Sequence, residues 1–272
     1  MLKKILALFI TAALLLSTAS CTISQKNRFS VNYEAGDNGV YLKKFTGTST
    51  DKNFTIADTY QGKPVVELVD FAVANNEYLQ VLYIGANVKT ISYWAVTNCQ
   101  QLKSINVSKD NEFFTSVKGV LFSKDMKTIL CYPNMNGSKY IIPDGVETIA
   151  MNAFYKCSNL KNVILPNSVK FIEDRAFHRC DSLTGIVLGD KVEKIGIDSF
   201  SFCTGLKKMF IPQSVKTIGD FAFYNSGNIV QMSMERKSSD GISLGKDWLP
   251  RKTNAIKTKI DIAWGCDRKA GI

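Results

Sequence analysis

Seven cysteines and a single histidine are the side chains of this 272-residue chain best suited to chemistry, and their spacing limits what they can do. Cys157, Cys180 and Cys203 stand 23 residues apart, Cys99 belongs to the same series, and Asn76 and Ser226 occupy its two ends. A zinc site wants close ligand spacing such as C-x-x-C, which the chain lacks. Asn and Ser as substitutes indicate a small, partly polar packing position that caps backbone groups at a bend, with its thiols buried and reduced. Cys131 and Cys266 lie outside the series. His178 would have to serve any triad or imidazole site alone, so it is read as a surface side chain on a turn. Glu173 and Asp174 form a carboxylate pair, but the pair recurs in no other copy of the repeat. No Gly-rich phosphate loop and no nucleophile elbow occurs. The expectation is a protein that is not an enzyme and uses no metal or cofactor.

The elements that position these residues repeat. Ile142-Pro-Asp-Gly-Val146, Leu165-Pro-Asn-Ser-Val169, Leu188-Gly-Asp-Lys-Val192 and Ile211-Pro-Gln-Ser-Val215 begin 23 residues apart. Such periodicity means stacked coils, one supersecondary unit per repeat. Within a unit, Val163 and Leu165 flank Ile164, the alternation of a strand with one face inward. Pro166 or Gly189 stops the strand, Val169 and Ile172 return to the core, and Ala176-Phe177 suits a short helical turn that plugs the coil with a ring. No single coil can bury its own apolar face, so neighbours share one core. Equivalent cysteines would then lie about 4.8 Å apart with parallel side chains, too far at Cβ for an unstrained disulfide.

The register extends from Phe54 and Ile56, through Leu82-Ile84 and Ile105-Val107, to Met232 and Met234. That makes eight strands, in a parallel stack roughly 34 Å long. The first coil is five residues long of standard, the surplus falling in Gln61-Gly-Lys-Pro64. The coil after Val107 carries twelve extra residues, in two apolar runs around Lys124-Asp-Met-Lys127 within residues 108–133. These runs read as a β-hairpin projecting from the stack.

Leu165-Pro-Asn-Ser-Val169 with Ala176-Phe177-x-x-Cys180, and the segment Gly119 to Pro133, resemble the BspA-type leucine-rich repeat family over about residues 54–234. The resemblance implies a leucine-rich-repeat-like solenoid, predominantly β with a parallel sheet and short helical turns. It also implies a bacterial surface protein that binds host or bacterial ligands, and it brings no shared catalytic set.

Two columns of side chains follow from the repeat. Tyr83, Asn106, Ile141, Ile164, Val187 and Phe210 lie between the inward strand positions and are expected to point outward as a ligand-binding stripe. Glu147, Lys170, Glu193 and Lys216 alternate in sign at 23-residue steps and read as a ladder that fixes stacking.

Residues 1–20 read as a secretory signal peptide: Lys3 and Lys4, an apolar run from Ile5 to Leu16, then small residues before Cys21. A cysteine in that place resembles a bacterial lipoprotein cleavage site, with Cys21 as the lipid attachment point; Thr22 instead of Asp gives no inner-membrane retention signal. An exported protein of the outer membrane or cell surface is expected. Residues 21–53 form a linker and N-terminal cap in which Val40 and Leu42 alternate, and residues 235–272, with Trp248, Leu249, Ile260, Ile262 and Trp264, form a C-terminal cap. The net charge of +10 suits solubility or loose attraction to acidic surfaces. No nucleic-acid reader motif is present. The expected role is monomeric, non-enzymatic adhesion to a protein or glycan through the sheet face; a scaffolding envelope lipoprotein without a host ligand is the alternative.

Overall fold

Alternation at Val163-Ile164-Leu165 gives the strand Asn162–Ile164, with Val163 and Leu165 buried and Ile164 half-exposed. It pairs in parallel with Lys139–Ile141 and Gly185–Val187, each residue facing its counterpart 23 positions away. The computed structural model describes residues 21–24, 30–229, 231–235, 237–250 and 261–264. Nine such leading strands recur, in three successive three-stranded sheets that begin at Asn53–Ile56, Lys139–Ile141 and Lys208–Ile211. After the turn at Pro166 the chain extends again at Phe171–Ile172, which pairs in parallel with Thr148–Ile149 and Lys194–Ile195. The trailing strands from Thr148–Ile149 to Ser243–Leu244 join three strands of the insertion in an eight-stranded sheet, while Lys63–Leu68 and Thr90–Ile91 pair beside the N-terminal hairpin. Sequence reading assigned Val169 and Ile172 to the core without a second sheet.

The expected helical turn at Ala176-Phe177 is absent, and there is no helix among the described residues. Arg175 and Arg179 take φ of +55° and +57°, as do Asp198 and Phe202 (+54° and +59°) and Phe221 and Asn225 (+55° and +56°) one and two coils on. A left-handed residue at every fourth position interrupts a helical ladder. Alternate N–H groups therefore leave the coil. Arg175, Phe177 and Arg179 donate to the carbonyls of Ile197, Ser199 and Ser201 at 2.8, 2.8 and 2.9 Å. Ala176, His178 and Cys180 donate back three residues, to Glu173, Arg175 and Phe177.

Inside these turns the expected ring column forms. Phe154, Phe177, Phe200 and Phe223 stack at centroid distances of 4.6, 5.1 and 5.3 Å, and Tyr132 extends the stack to Phe154 at 5.0 Å. The cysteine column caps backbone at the following bend. Cys180 Sγ donates to Phe154 O at 3.0 Å and Cys203 Sγ to Phe177 O at 3.0 Å. Ser226 Oγ does the same to Phe200 O at 2.7 Å, while Asn76 Oδ1 accepts from the N–H groups of Tyr78 and Leu79. Burial drives the Cys157 and Cys180 thiols well above their ordinary pKa and Cys99 up to about 11, which keeps them protonated donors.

The insertion does not project. Phe114–Val117 and Val120–Ser123 form a hairpin, Thr128–Cys131 pairs back on the latter, and all three join the trailing sheet through Thr148–Ile149. The Lys118-Gly119 turn has positive φ at both residues (+50° and +79°), the geometry of a tight two-residue hairpin. Val120, Leu121, Phe122 and Ile129 are all buried, because the apolar runs complete the wall of the core. Leu121 packs with the N-terminal half of the core, Val120 and Phe122 with the C-terminal half.

At the N-terminus, Ser30–Gly36 and Gly39–Thr46 form a hairpin whose Val40, Leu42 and Phe45 cover the first coil; Cys21–Ser24 pairs antiparallel with its first strand. Residues 1–20 lie outside the described part. The C-terminal segment adds a ninth coil to the eight expected. Ser243–Leu244 pairs in parallel with Thr217–Ile218, and Asp261–Trp264 with Gln231–Met234. Trp248 is buried and Leu249 packs on the core; Ile260 lies outside the described residues, as do Cys266 and the side chains of Ile262 and Trp264.

Phe177→Ala removes a ring packed on both faces and is expected to cost about 3–5 kcal/mol in urea unfolding. Cys180→Ser keeps the donor, as Ser226 does naturally, and is expected to stay within about 1 kcal/mol of the parent.

Candidate functional site

The outward positions of the leading strands carry part of the exposed apolar surface. Ile141 is 61% exposed and Tyr83 42%, while Asn106, Ile164, Val187 and Phe210 are half-exposed. Ile141, Ile164 and Val187 stand in direct register, and Phe210 opens the adjoining leading sheet. Tyr83 and Asn106 are likewise paired. The six do not make one stripe. The strand Ser104–Val107 turns its far edge to the insertion, Ile105 N–H donating to Gly119 O at 2.8 Å and Val107 N–H to Ser116 Oγ at 3.0 Å. Asn106 and Ile141 thus belong to separate sheets, and the column divides into a Tyr83–Asn106 pair and an Ile141–Ile164–Val187–Phe210 cluster. Branched aliphatic groups and a ring offer contact area and no reacting group.

The expected charge ladder forms as pairs. Glu147 meets Lys170 at 3.0 Å and Lys127 at 3.1 Å, Glu193 meets Lys216 at 2.7 Å, and Glu173 meets Lys194 at 2.6 Å. Hydrogen bonds from Lys170 and then Lys127 hold the Glu147 carboxyl below its ordinary pKa, and Lys216 does so for Glu193. Asp174 is structural as well. Its Oδ1 accepts from Ile197 N–H at 2.9 Å, and Asp220 Oδ1 takes the same part toward Lys246 N–H at 2.7 Å, so this carboxylate does have a copy. Sequence reasoning passed over a second group. Lys52, Lys103, Lys139, Lys161, Lys207 and Lys208 line the N-terminal margin of the leading strands, exposed and without an ion pair to any described carboxylate. Their signal was the return of lysine in one repeat position at Lys103, Lys161 and Lys207.

His178 is not a free surface group. Its ring stacks on Tyr155 (5.3 Å between centroids, 5° between planes) and meets Phe202 edge-on at 5.4 Å. Nδ1 lies 2.6 Å from Ser201 Oγ, and Asp198 is close by, so serine, histidine and aspartate do converge. The polarity is wrong for a nucleophile. Ser201 Oγ donates to Asp198 O at 3.1 Å, so it accepts from Nδ1–H, and it is fully buried. Asp198 directs its carboxylate to Arg175 at 3.5 Å. Burial lowers the His178 pKa to about 4, with Arg179 and Arg175 adding to the effect and Asp198 opposing it. The unfolded chain binds that proton near pH 6.5 and the folded one near pH 4, so stability falls as pH drops through this window. Thermal unfolding at about pH 7, 5.5 and 4.5 is expected to show the loss, and His178→Phe to flatten it.

Among the described residues no group of three or more His, Cys, Asp or Glu is placed to hold a metal, and no helix is long and apolar enough to cross a membrane. The family description "BspA type Leucine rich repeat region", in six copies, matches residues 41–137 and 124–240. Among solved structures the chain is similar to the pneumococcal vaccine antigen PcpA, at 18% identity over 86% of this chain and 89% of that one, with a TM-score of 0.53. It is also similar to a leucine rich cell surface protein from Faecalibacterium prausnitzii, at 15% identity over 93% and 97% of the two chains, TM-score 0.49. A leucine-rich repeat protein from Bacteroides capillosus is 27% identical over 45% of this chain and 99% of that one, TM-score 0.41. No curated protein matches the chain. At these identities the structural likeness carries the fold alone, but the repeat match spans most of the sequence: the chain belongs to the BspA-type leucine-rich repeat family.

Proposed function

We propose that this chain is an exported protein of the bacterial cell envelope, anchored by lipid on Cys21, that binds a protein or glycan ligand without catalysing a reaction. The observation that carries the reading is the Ile141–Ile164–Val187–Phe210 cluster, turned to solvent on a rigid sheet. Apolar side chains set outward on consecutive coils mark a contact surface. The strand Asn162–Ile164 is held on both sides, by Lys139–Ile141 and Gly185–Val187, so the centre of the surface is preformed and loses little entropy on binding. The basic start, the apolar run and the small residues before Cys21 support export and lipidation.

Replacing Ile164, Val187 and Phe210 together by Ser is expected to lower the melting temperature only modestly and to keep a cooperative transition, since the three are partly exposed. The same variant should abolish capture on an array of matrix proteins and glycans; undiminished capture would clear the cluster of this role. A mature protein that retains only components of its own envelope would be a scaffold instead. Globomycin is expected to block processing, seen as a slower-migrating precursor on a gel, and Cys21→Ser to abolish lipid labelling.

A further inference from the structure

Beside the apolar cluster runs a row of uncompensated lysines, and we propose that the two together dock a protein whose surface presents acidic side chains next to aliphatic ones. The inference rests on the reading of this face as a binding surface and names the partner's chemistry. Lys161 and Lys207 occupy one repeat position two coils apart, which places them about 10 Å from each other. Lys139 and Lys208 lie one residue further into their strands. All four are exposed, and none lies within ion-pair distance of a described carboxylate.

The trailing sheet shows what the fold does when it neutralises its own lysines. There Lys127, Lys170, Lys194 and Lys216 each meet a glutamate, at distances from 2.6 to 3.1 Å. The leading margin has no such glutamates. Its aliphatic lysine stems extend the apolar surface while the ammonium groups form a charged rim, the arrangement of a protein–protein contact. The far margin carries exposed Asp144, and Asp190 beside exposed Lys191, so the lysine excess lies at one margin of the face and favours a partner in one orientation.

The apolar centre selects among acidic partners. Ile141, Ile164 and Val187 are branched aliphatic groups without hydrogen-bonding capacity. A sugar pressed onto them would bury hydroxyls without partners, at a cost that an aliphatic side chain avoids. Single-stranded nucleic acid would need successive aromatic platforms, and this cluster holds one ring, Phe210.

The test compares four charges removed from each sheet. Mature protein, the Lys139/Lys161/Lys207/Lys208→Gln variant and the Lys127/Lys170/Lys194/Lys216→Gln variant are immobilised well below their melting temperatures. A glutamate–leucine copolypeptide, polyglutamate and polygalacturonate are passed over each. The copolypeptide is expected to bind the parent most tightly, and less so as salt rises. The leading-margin variant should lose roughly tenfold in affinity and the trailing-sheet variant less than about twofold. Ile164→Ser with Val187→Ser should reduce the copolypeptide to the level of polyglutamate. Equal losses in the two lysine variants would reduce the effect to net charge and overturn the proposal. Polygalacturonate bound as tightly as the copolypeptide would also overturn it, in favour of a glycan. If only the serine variant loses binding, the acidic partner is wrong and the binding face stands. If every variant binds like the parent, the face itself falls.

Discussion

No coil of this protein can satisfy its own backbone. The leading strand, the trailing strand and every second residue of the turn send their N–H groups to the neighbouring coil, almost always 22 to 24 residues away. A buried amide without a partner is costly, so the repeat length is a hydrogen-bonding requirement before it is a packing one. The positive-φ residues follow from it. By breaking the turn into three-residue loops, Arg175 and Arg179 free alternate amides to cross between coils, which a helix would have kept for itself. The ring column and the cysteine column then fill the space the turns enclose, the rings by stacking and the thiols by donating to carbonyls one coil back.

The same constraint explains the irregular parts. The coil after Val107 has no Ala-Phe turn, and its ring position is filled by Tyr132, whose N–H donates to Ala153 O at 2.7 Å as Phe154 N–H does to Ala176 O at 2.8 Å. Its trailing strand, Thr128–Cys131, keeps register with Thr148–Ile149. The extra residues are accommodated between these conserved contacts, as antiparallel strands whose apolar side chains complete the wall. At the last coil the sequence repeat is gone, yet Phe223 N–H still finds Trp248 O at 3.0 Å and Gly219 still has Gly245 as its counterpart one coil on. Backbone demand persists where side-chain identity has drifted.

This is why part of the molecule was legible in the sequence and part was not. Inward positions such as Val163, Leu165 and Phe177 repeat because one core serves all coils, and the cysteine position was readable because Asn76 and Ser226 disclosed its polarity. The trailing strands are two residues long at Phe171–Ile172 and carry too little alternation to be seen. The turn was misread because helix and broken turn place Ala176 and Phe177 inward alike, and Arg175 gives no sign of a left-handed backbone as glycine would. The hairpin pattern of the insertion is the same whether the hairpin stands free or lies in a wall, so the sequence alone does not tell a projection from a wall. The ninth coil left only Leu244-Gly245, an echo of Ile218-Gly219. At His178 the repeat pointed to a variable, exposed position; only the neighbouring coils bring Tyr155 and Ser201 against it.

A solenoid of this kind separates its structural and its free surfaces. Inward side chains hold the core, turn residues hold the backbone, and the trailing sheet pairs its own charges, so the outward positions of the leading strands carry the least duty to the fold. Solubility opposes the presence of Ile141, Ile164, Val187 and Phe210 together on that face. It equally gives no reason for lysines to gather at one margin of that patch while glutamates gather on the other sheet. A random surface would mix the two signs on both sheets, because mutual pairing lowers the energy of each. The segregation of charge leaves the leading face attractive to an acidic partner at long range, and its aliphatic centre gives that partner something to hold once it arrives.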